Sequence, residues 1–203
     1  MEIMRRYPDA IACSRKSENS IDFSKEGAVS AILELVAEHK PDVIFYVAGG
    51  GPHGDFFSKP FHSHKWAYQV NYFTPVALAY ELIQKGYEGA FVYIGSAIAE
   101  RSESNQSLSY SQSKKMTKQS LLSLHEKDLK IRIFSPPYMN TGMLTKNAWP
   151  RTEAPELVIE PVNAAEKLTD WLSDLSLSKG DSDVRHFDWL EEFTYDIPLN
   201  REL

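Results

Sequence analysis

Short apolar runs that alternate with helical periodicity predict an α/β fold built on a mostly parallel, helix-covered sheet. Three observations carry this. Asp42–Val47, Ala90–Ile94 and Lys130–Phe134 are apolar runs of strand length. Segments of ten to twenty residues with helical spacing of apolar side chains separate them. Glycine or proline punctuates the changes. Such alternation reads as βαβ units, and ligands in these sheets bind beyond the carboxyl ends of the strands.

The elements follow in order. Met1–Tyr7 reads as a stub of helix closed by Pro8, and Asp9–Ser14 and Ser20–Phe23 read as short strands. Ala28, Ile32, Leu33, Leu35 and Val36 predict a helix over 24–39, stopped by Pro41. Strand 42–47 ends at Gly49-Gly50-Gly51, and an aromatic loop runs from Pro52 to Lys65. A long helix is predicted over 66–85, kinked at Pro75 and closed by Gly86. After strand 90–94 a polar stretch, 100–109, leads to a helix over 111–127. Strand 130–134 is broken by Pro136-Pro137. The last predicted helix, 160–174, carries Ala164, Leu168, Trp171 and Leu172 on one face. The final 25 residues are acidic and aromatic and show no readable period.

Composition narrows the function. The 203 residues suffice for one domain, taken as 1–203. A net charge of −6 leaves no basic excess to release counterions, so no nucleic-acid partner is expected. No apolar run reaches membrane-spanning length, and the N-terminus has no secretory h-region, so no membrane association is expected. Cys13 is the single cysteine; it excludes an internal disulfide, fits a cytoplasmic location and reads as a small core residue. His62-Ser63-His64 lacks a third ligand, so no metal is expected. Gly95-Ser96-Ala97 lacks the G-x-S-x-G elbow of a serine hydrolase.

One constellation carries chemistry. Ser96 ends a buried strand. Tyr110 follows fourteen residues later and Lys114 four after that, so the last two share a helix face. A Tyr-x-x-x-Lys pair alone is what chance supplies in a chain with 10 tyrosines; its position after a strand-ending serine gives it weight. Asn71 lies in the preceding helix. Pro136-Pro-Tyr-Met-Asn-Thr141 follows the next strand.

In this order and spacing, Asn71, Ser96, Tyr110 and Lys114 resemble the motif residues of the short-chain dehydrogenases/reductases, over about residues 5 to 175. The resemblance implies a Rossmann-like doubly wound parallel sheet. It implies an oxidoreductase that interconverts a carbonyl and an alcohol with a nicotinamide cofactor, NAD(P)(H). Tyr110 would be the general acid/base, Lys114 would lower its pKa and hold the nicotinamide ribose, and Ser96 would bind the substrate oxygen. Asn71 would link Lys114 to a water chain. Pro136 to Thr141 resembles the family's Pro-Gly-x-x-x-Thr segment beside the nicotinamide, with Pro137 where glycine is usual. Val47-Ala48-Gly49 resembles the Asn-Ala-Gly motif, with Val47 replacing asparagine, which puts Ala48 and Gly49 beside the cofactor. Arg15, after the first short strand, would favour the 2′-phosphate of NADP(H) over NAD(H), and Asp22 would lie near the adenine. Phe56, Phe57, Phe61, Trp66 and the stretch 138–149 would line or cover the substrate site, or pack on the sheet edge. The resemblance also implies a homo-oligomer joined through the helices near 66–85 and 110–127.

The family's first strand and its Gly-x-x-x-Gly-x-Gly turn have no counterpart here; Met1–Tyr7 resembles the end of the helix that follows that turn. Gly49–Gly54 matches G-x-G-x-x-G, but Pro52 has no N–H for a phosphate and no acidic residue stands about 20 positions on. Cofactor binding is therefore expected to be impaired in these 203 residues. Either upstream residues complete the domain, or the chain is a degenerate member acting by association. Without a first strand, the strands near residues 10 and 21 are expected not to pair with strand 42–47.

Overall fold

The structure, a computed structural model, describes residues 2–97, 108–125, 129–144, 151–152 and 155–174. The polar stretch 100–107, residues 126–127 of the predicted fourth helix, 145–149 and the final 25 residues lie outside the described residues. The chain opens on helix α1 (Glu2–Arg6). Two short parallel strands follow, β1 (Cys13–Ser14) and β2 (Asn19–Ser20). Both are shorter than the apolar runs predict. The reason is local: Ser14 N–H donates to Ser17 Oγ at 2.7 Å, and that hydroxyl lies 2.9 Å from the Asn19 carbonyl. Serine side chains thus take backbone groups that a longer ladder would use.

Helix α2 spans Ala28–His39, starting four residues later than its period suggests. Asp22 Oδ1 accepts from both Ser24 N–H (3.0 Å) and Ser24 Oγ (2.7 Å), which holds 22–25 as a turn. Gly27 then enters the helix at φ 88, a left-handed conformation that suits glycine. Strand β3 is Val43–Tyr46. The helix predicted over 66–85 begins at Phe61 and has three parts: α3 (Phe61–Tyr68), a π-helical turn (Gln69–Phe73) and α4 (Thr74–Gln84). Strand β4 is Ala90–Ile94, α5 is Leu108–His125 and β5 is Lys130–Phe134. A second parallel pair, β6 (Tyr138–Met139) and β7 (Val158–Ile159), precedes α6 (Pro161–Asp174).

The central sheet has the order β3-β4-β5, all parallel, with Tyr46 opposite Tyr93 and Ile94 opposite Phe134. β1 and β2 form a separate sheet and do not pair with β3, as expected; among the described residues no strand joins them to it. β4 is buried along its whole length, which explains its unbroken apolar sequence. Side chains alternate across the sheet. Ile44, Tyr46, Phe91, Tyr93, Ile131 and Ile133 pack on α2, α4 and α5 through Ile32, Leu78, Leu82 and Leu121. Val43, Phe45, Val92, Ile94 and Phe134 pack on α6 through Ala164, Leu168, Trp171 and Leu172, with Ile3 of α1 alongside. Cys13 is half-buried against the first cluster, and burial raises its thiol pKa. Helices on both faces of a parallel sheet are the doubly wound α/β arrangement that the alternation predicts.

Phe91 is fully buried between β3, β5 and the helices of one face, whereas Phe57 is 92% exposed. Phe91→Ala is expected to destabilise by about 3–5 kcal/mol and Phe57→Ala by less than about 0.5 kcal/mol, read by denaturant unfolding.

Candidate active site

The site forms where β3, β4 and β5 end. Pro75 shapes its back wall. A proline has no N–H to give the carbonyl four residues earlier, which here is that of Asn71. The helix answers with the π turn Gln69–Phe73, and the Asn71 carbonyl takes two side-chain donors instead: Thr117 Oγ1 at 2.5 Å and Tyr93 OH at 3.1 Å. The irregularity predicted at Pro75 thus falls mainly in the turn before it. The Asn71 side chain is fully buried. Its Nδ2 donates to the Gly50 carbonyl (2.7 Å) and to Ser113 Oγ (2.9 Å), and its Oδ1 accepts from Gly50 N–H (3.0 Å). One amide therefore fixes the loop after β3 against both helices.

Tyr110 lies in the first turn of α5, because that helix begins at Leu108, three residues before the predicted start. The Ser96 hydroxyl just past β4 lies near enough to its phenol to lower the phenol pKa. One turn on, Lys114 is 3% exposed; its Nζ donates to the Ile94 carbonyl at 2.7 Å and lies 4.6 Å from the Tyr93 ring centre. The structure therefore brings Asn71, Ser96, Tyr110 and Lys114 together around the end of β4. Its electrostatics differ from the expectation. A phenol drawn down by Lys114 is expected; instead, burial pushes Tyr110 above its usual value, opposed by the Ser96 hydroxyl. Burial also pulls Lys114 down to about 7. Near neutral pH, Tyr110 is a phenol and Lys114 is only partly charged. The ammonium that would favour phenolate is weakened by the desolvation that surrounds both groups.

The residues expected beside a cofactor divide into two groups. Gly49 sits so close to Lys114 that a Cβ there would come within 2.9 Å of Nζ and 3.1 Å of Asn71 Oδ1. A Cβ on Gly51 would come within 2.8 Å of the Tyr110 Cβ. Ala48 packs on the core just before them. Pro136, buried after β5, accepts Ala97 N–H at 3.0 Å, which ties the end of β5 to the Ser96 segment. Thr141 follows β6, and its carbonyl accepts from Arg151 Nη2 at 3.3 Å. Arg15 and Asp22 form the second group, at the ends of β1 and β2. They are near enough for the Arg15 charge to act on Asp22, whose carboxyl is held down first by hydrogen bonds from Ser24.

These residues fit one end of a dinucleotide. Glycines that leave room beside a buried lysine, and a serine–tyrosine pair next to it, suit a nicotinamide and a reacting carbonyl. The pyrophosphate end does not fit among the described residues: Gly50 N–H is already given to Asn71, and the 3₁₀ turn after Gly54 is only Phe56–Ser58.

The aromatic loop is not uniform. Phe57 and Phe61 are largely exposed, Phe56 stacks on His64, and Trp66 closes on Gly50. Sequence reasoning missed Ser113 and Thr117, although they share a helix face with Tyr110 and Lys114; polar residues on a sheet-facing stripe were the available signal. It also missed His53, whose ring centre is 6.3 Å from that of Tyr110. Burial first, then the charge of Lys59, lowers the His53 pKa.

No family model and no curated protein matches the chain. Solved structures do. A 4-hydroxyisoleucine dehydrogenase complexed with NADH and succinate is 16% identical, with a TM-score of 0.65 over 86% of this chain and 87% of that one. A short-chain dehydrogenase from Sphingobium yanoikuyae in complex with NADPH is 16% identical, with a TM-score of 0.60 over 76% and 63%. A short-chain dehydrogenase from Streptomyces avermitilis is 19% identical, with a TM-score of 0.61 over 91% and 72%. The chain has the Rossmann-like fold of the short-chain dehydrogenases.

Lys114 generates a pH prediction. Its pKa falls from 10.5 to about 7 on folding, so between these values the unfolded state holds more protons and stability rises with pH. Wild type is expected to gain stability relative to Lys114→Met from pH 6.5 to about 9.5. Urea unfolding of both proteins at several pH values checks it; a constant difference would contradict the burial of a charged amine.

Proposed function

We propose that this chain is a nicotinamide-dependent oxidoreductase that interconverts a carbonyl and an alcohol. The observation that carries the reading is the convergence of Ser96, Tyr110 and Lys114 on the end of β4, braced by Asn71. A bound nicotinamide would supply or accept the hydride. The protein's own part is the proton at oxygen. Tyr110, a phenol near neutral pH, would donate its proton to the substrate oxygen as a carbonyl is reduced. Ser96 would hydrogen-bond that oxygen as charge develops on it. Lys114 would hold the cofactor ribose and, as its charge increases, favour the phenolate left behind. Asn71 holds the loop that lets Gly49 approach Lys114.

Several finer readings rest on this proposal. Arg15, exposed beyond β1, favours the 2′-phosphate of NADP(H), with Asp22 near the adenine; the solved relatives include NADH and NADPH complexes alike. Ala48, Gly49, Pro136 and Thr141 would border the nicotinamide. The substrate would be a small carbonyl or alcohol compound. We take the chain as one domain working in the cytoplasm. No described helix is long and apolar enough to cross a membrane. Phe73, Tyr80 and Met116 are exposed on or beside α4 and α5, two helices that pack together, and this apolar surface favours a homo-oligomer through them.

A second reading draws on one observation: Gly50 N–H is spent on Asn71, and the described residues offer no other glycine turn to hold a pyrophosphate. On that reading the chain is a cofactor-deficient member of the fold that acts by association. Calorimetric titration with NADPH and NADH separates the two. Binding in the micromolar range, with carbonyl reduction lowered about 10²–10⁴-fold by Tyr110→Phe and about 10²–10³-fold by Ser96→Ala, is the result expected of the oxidoreductase. Failure to bind either cofactor would leave the second reading.

A further inference from the structure

His62-Ser63-His64 is the one histidine cluster in the sequence, and the function proposed above does not use it. His64 lies in α3 and is 4% exposed. Both ring nitrogens are engaged. Nδ1 is 2.7 Å from Ser109 Oγ, and Nε2 is 3.0 Å from the Phe56 carbonyl. The imidazole also stacks on the Phe56 ring, with centres 4.0 Å apart and planes 25° apart. A neutral imidazole satisfies this set in one tautomer: Nε2–H donates to Phe56 and Nδ1 accepts the Ser109 hydroxyl.

The partners give these contacts their meaning. Ser109 is the residue before Tyr110 in the first turn of α5, where backbone N–H groups have no helical partner and the chain frays most easily. Phe56 belongs to the loop that also holds Gly51, where a Cβ would come within 2.8 Å of the Tyr110 Cβ, and His53, whose ring centre is 6.3 Å from that of Tyr110. His64 thus clasps the first turn of α5, which carries Tyr110, to the loop that approaches Tyr110. Tyr110 is half-buried there, and that burial raises its phenol pKa.

We propose that His64 is a positioning residue for Tyr110, acting through Ser109 and the Phe56 loop. It touches neither substrate nor cofactor. Its loss would let the first turn of α5 and the loop part, admit water to the phenol and bring Tyr110 back toward an ordinary tyrosine. Among the described residues, the groups near Tyr110 are Ser96, His53, Tyr93 and, one turn along α5, Lys114; all remain in a His64 or Ser109 variant.

The proposal builds on the reading of Tyr110 as the acid/base, but its test needs no cofactor. The protein is labelled with 3-fluorotyrosine and followed by ¹⁹F NMR against pH, with the Tyr110 signal assigned by its loss in Tyr110→Phe. In His64→Ala and in Ser109→Ala the Tyr110 midpoint is expected to fall by roughly one pH unit, and in the double variant by no more than in either alone. A Tyr110 midpoint that stays within about 0.2 units of wild type in folded His64→Ala or Ser109→Ala, with only thermal stability lowered, would overturn it. Should His64→Ala not fold, Ser109→Ala and His64→Gln carry the same test, since both keep the core volume nearly filled. An inert protein that binds no NADPH yet shows these shifts would refute the oxidoreductase reading and leave the His64 clasp standing.

Discussion

The candidate site depends on a single buried amide. Asn71 makes three side-chain hydrogen bonds and its carbonyl accepts two more, and these five reach the loop after β3, strand β4 and one face of α5. Such a group is costly to bury and costs about 1–3 kcal/mol for each partner left unpaired, so the network holds as a whole or not at all. Its origin is a backbone defect. Pro75 leaves the Asn71 carbonyl without its helical donor, and the π turn rotates it toward Tyr93 and Thr117. A residue that breaks helical regularity thereby becomes the reason three elements meet.

The electrostatics of the site follow from the same closeness. Glycines at 49 and 51 let backbone come within side-chain reach of Lys114 and Tyr110. Both groups respond by holding their neutral forms: the phenol keeps its proton and the amine sheds one more readily. The protein alone therefore stores little charge where the chemistry is proposed. Charge brought by a ligand would be felt strongly there, because so little solvent screens it.

Much of this was legible in the sequence, and the limits have physical causes. β4 and β5 have the predicted bounds because both are covered on two faces and read as continuous apolar runs. Asn71, Ser96, Tyr110 and Lys114 stand out as candidates because their order along the chain resembles a known motif and their spacing puts two of them on one helix face. β1 and β2 came out shorter because Ser14 and Ser17 divert backbone donors, an effect no apolar pattern reveals. The start of α2 was displaced by the Asp22–Ser24 turn. His64 and Ser113 were missed as site residues because their partners, Ser109 and Asn71, lie more than forty residues away. The direction of the Tyr110 and Lys114 shifts was also out of reach, since burial is a property of the assembled site.

The β1–β2 pair, like β6–β7, joins the rest of the molecule without a ladder to the central sheet. It shares an apolar cluster with α2 and β3, and Phe23 accepts a hydrogen bond from Thr74, but it belongs to no ladder of the central sheet. Backbone ladders make neighbouring strands open together; side-chain packing alone couples them loosely. Amide protons of Cys13 to Ser20 should therefore exchange through a smaller opening than those of β4, a cooperative unit nested within the domain. Arg15 and Asp22 ride on that unit. Any ligand that touches both it and Lys114 would knit two separately opening parts into one, and its affinity would carry the free energy of that union.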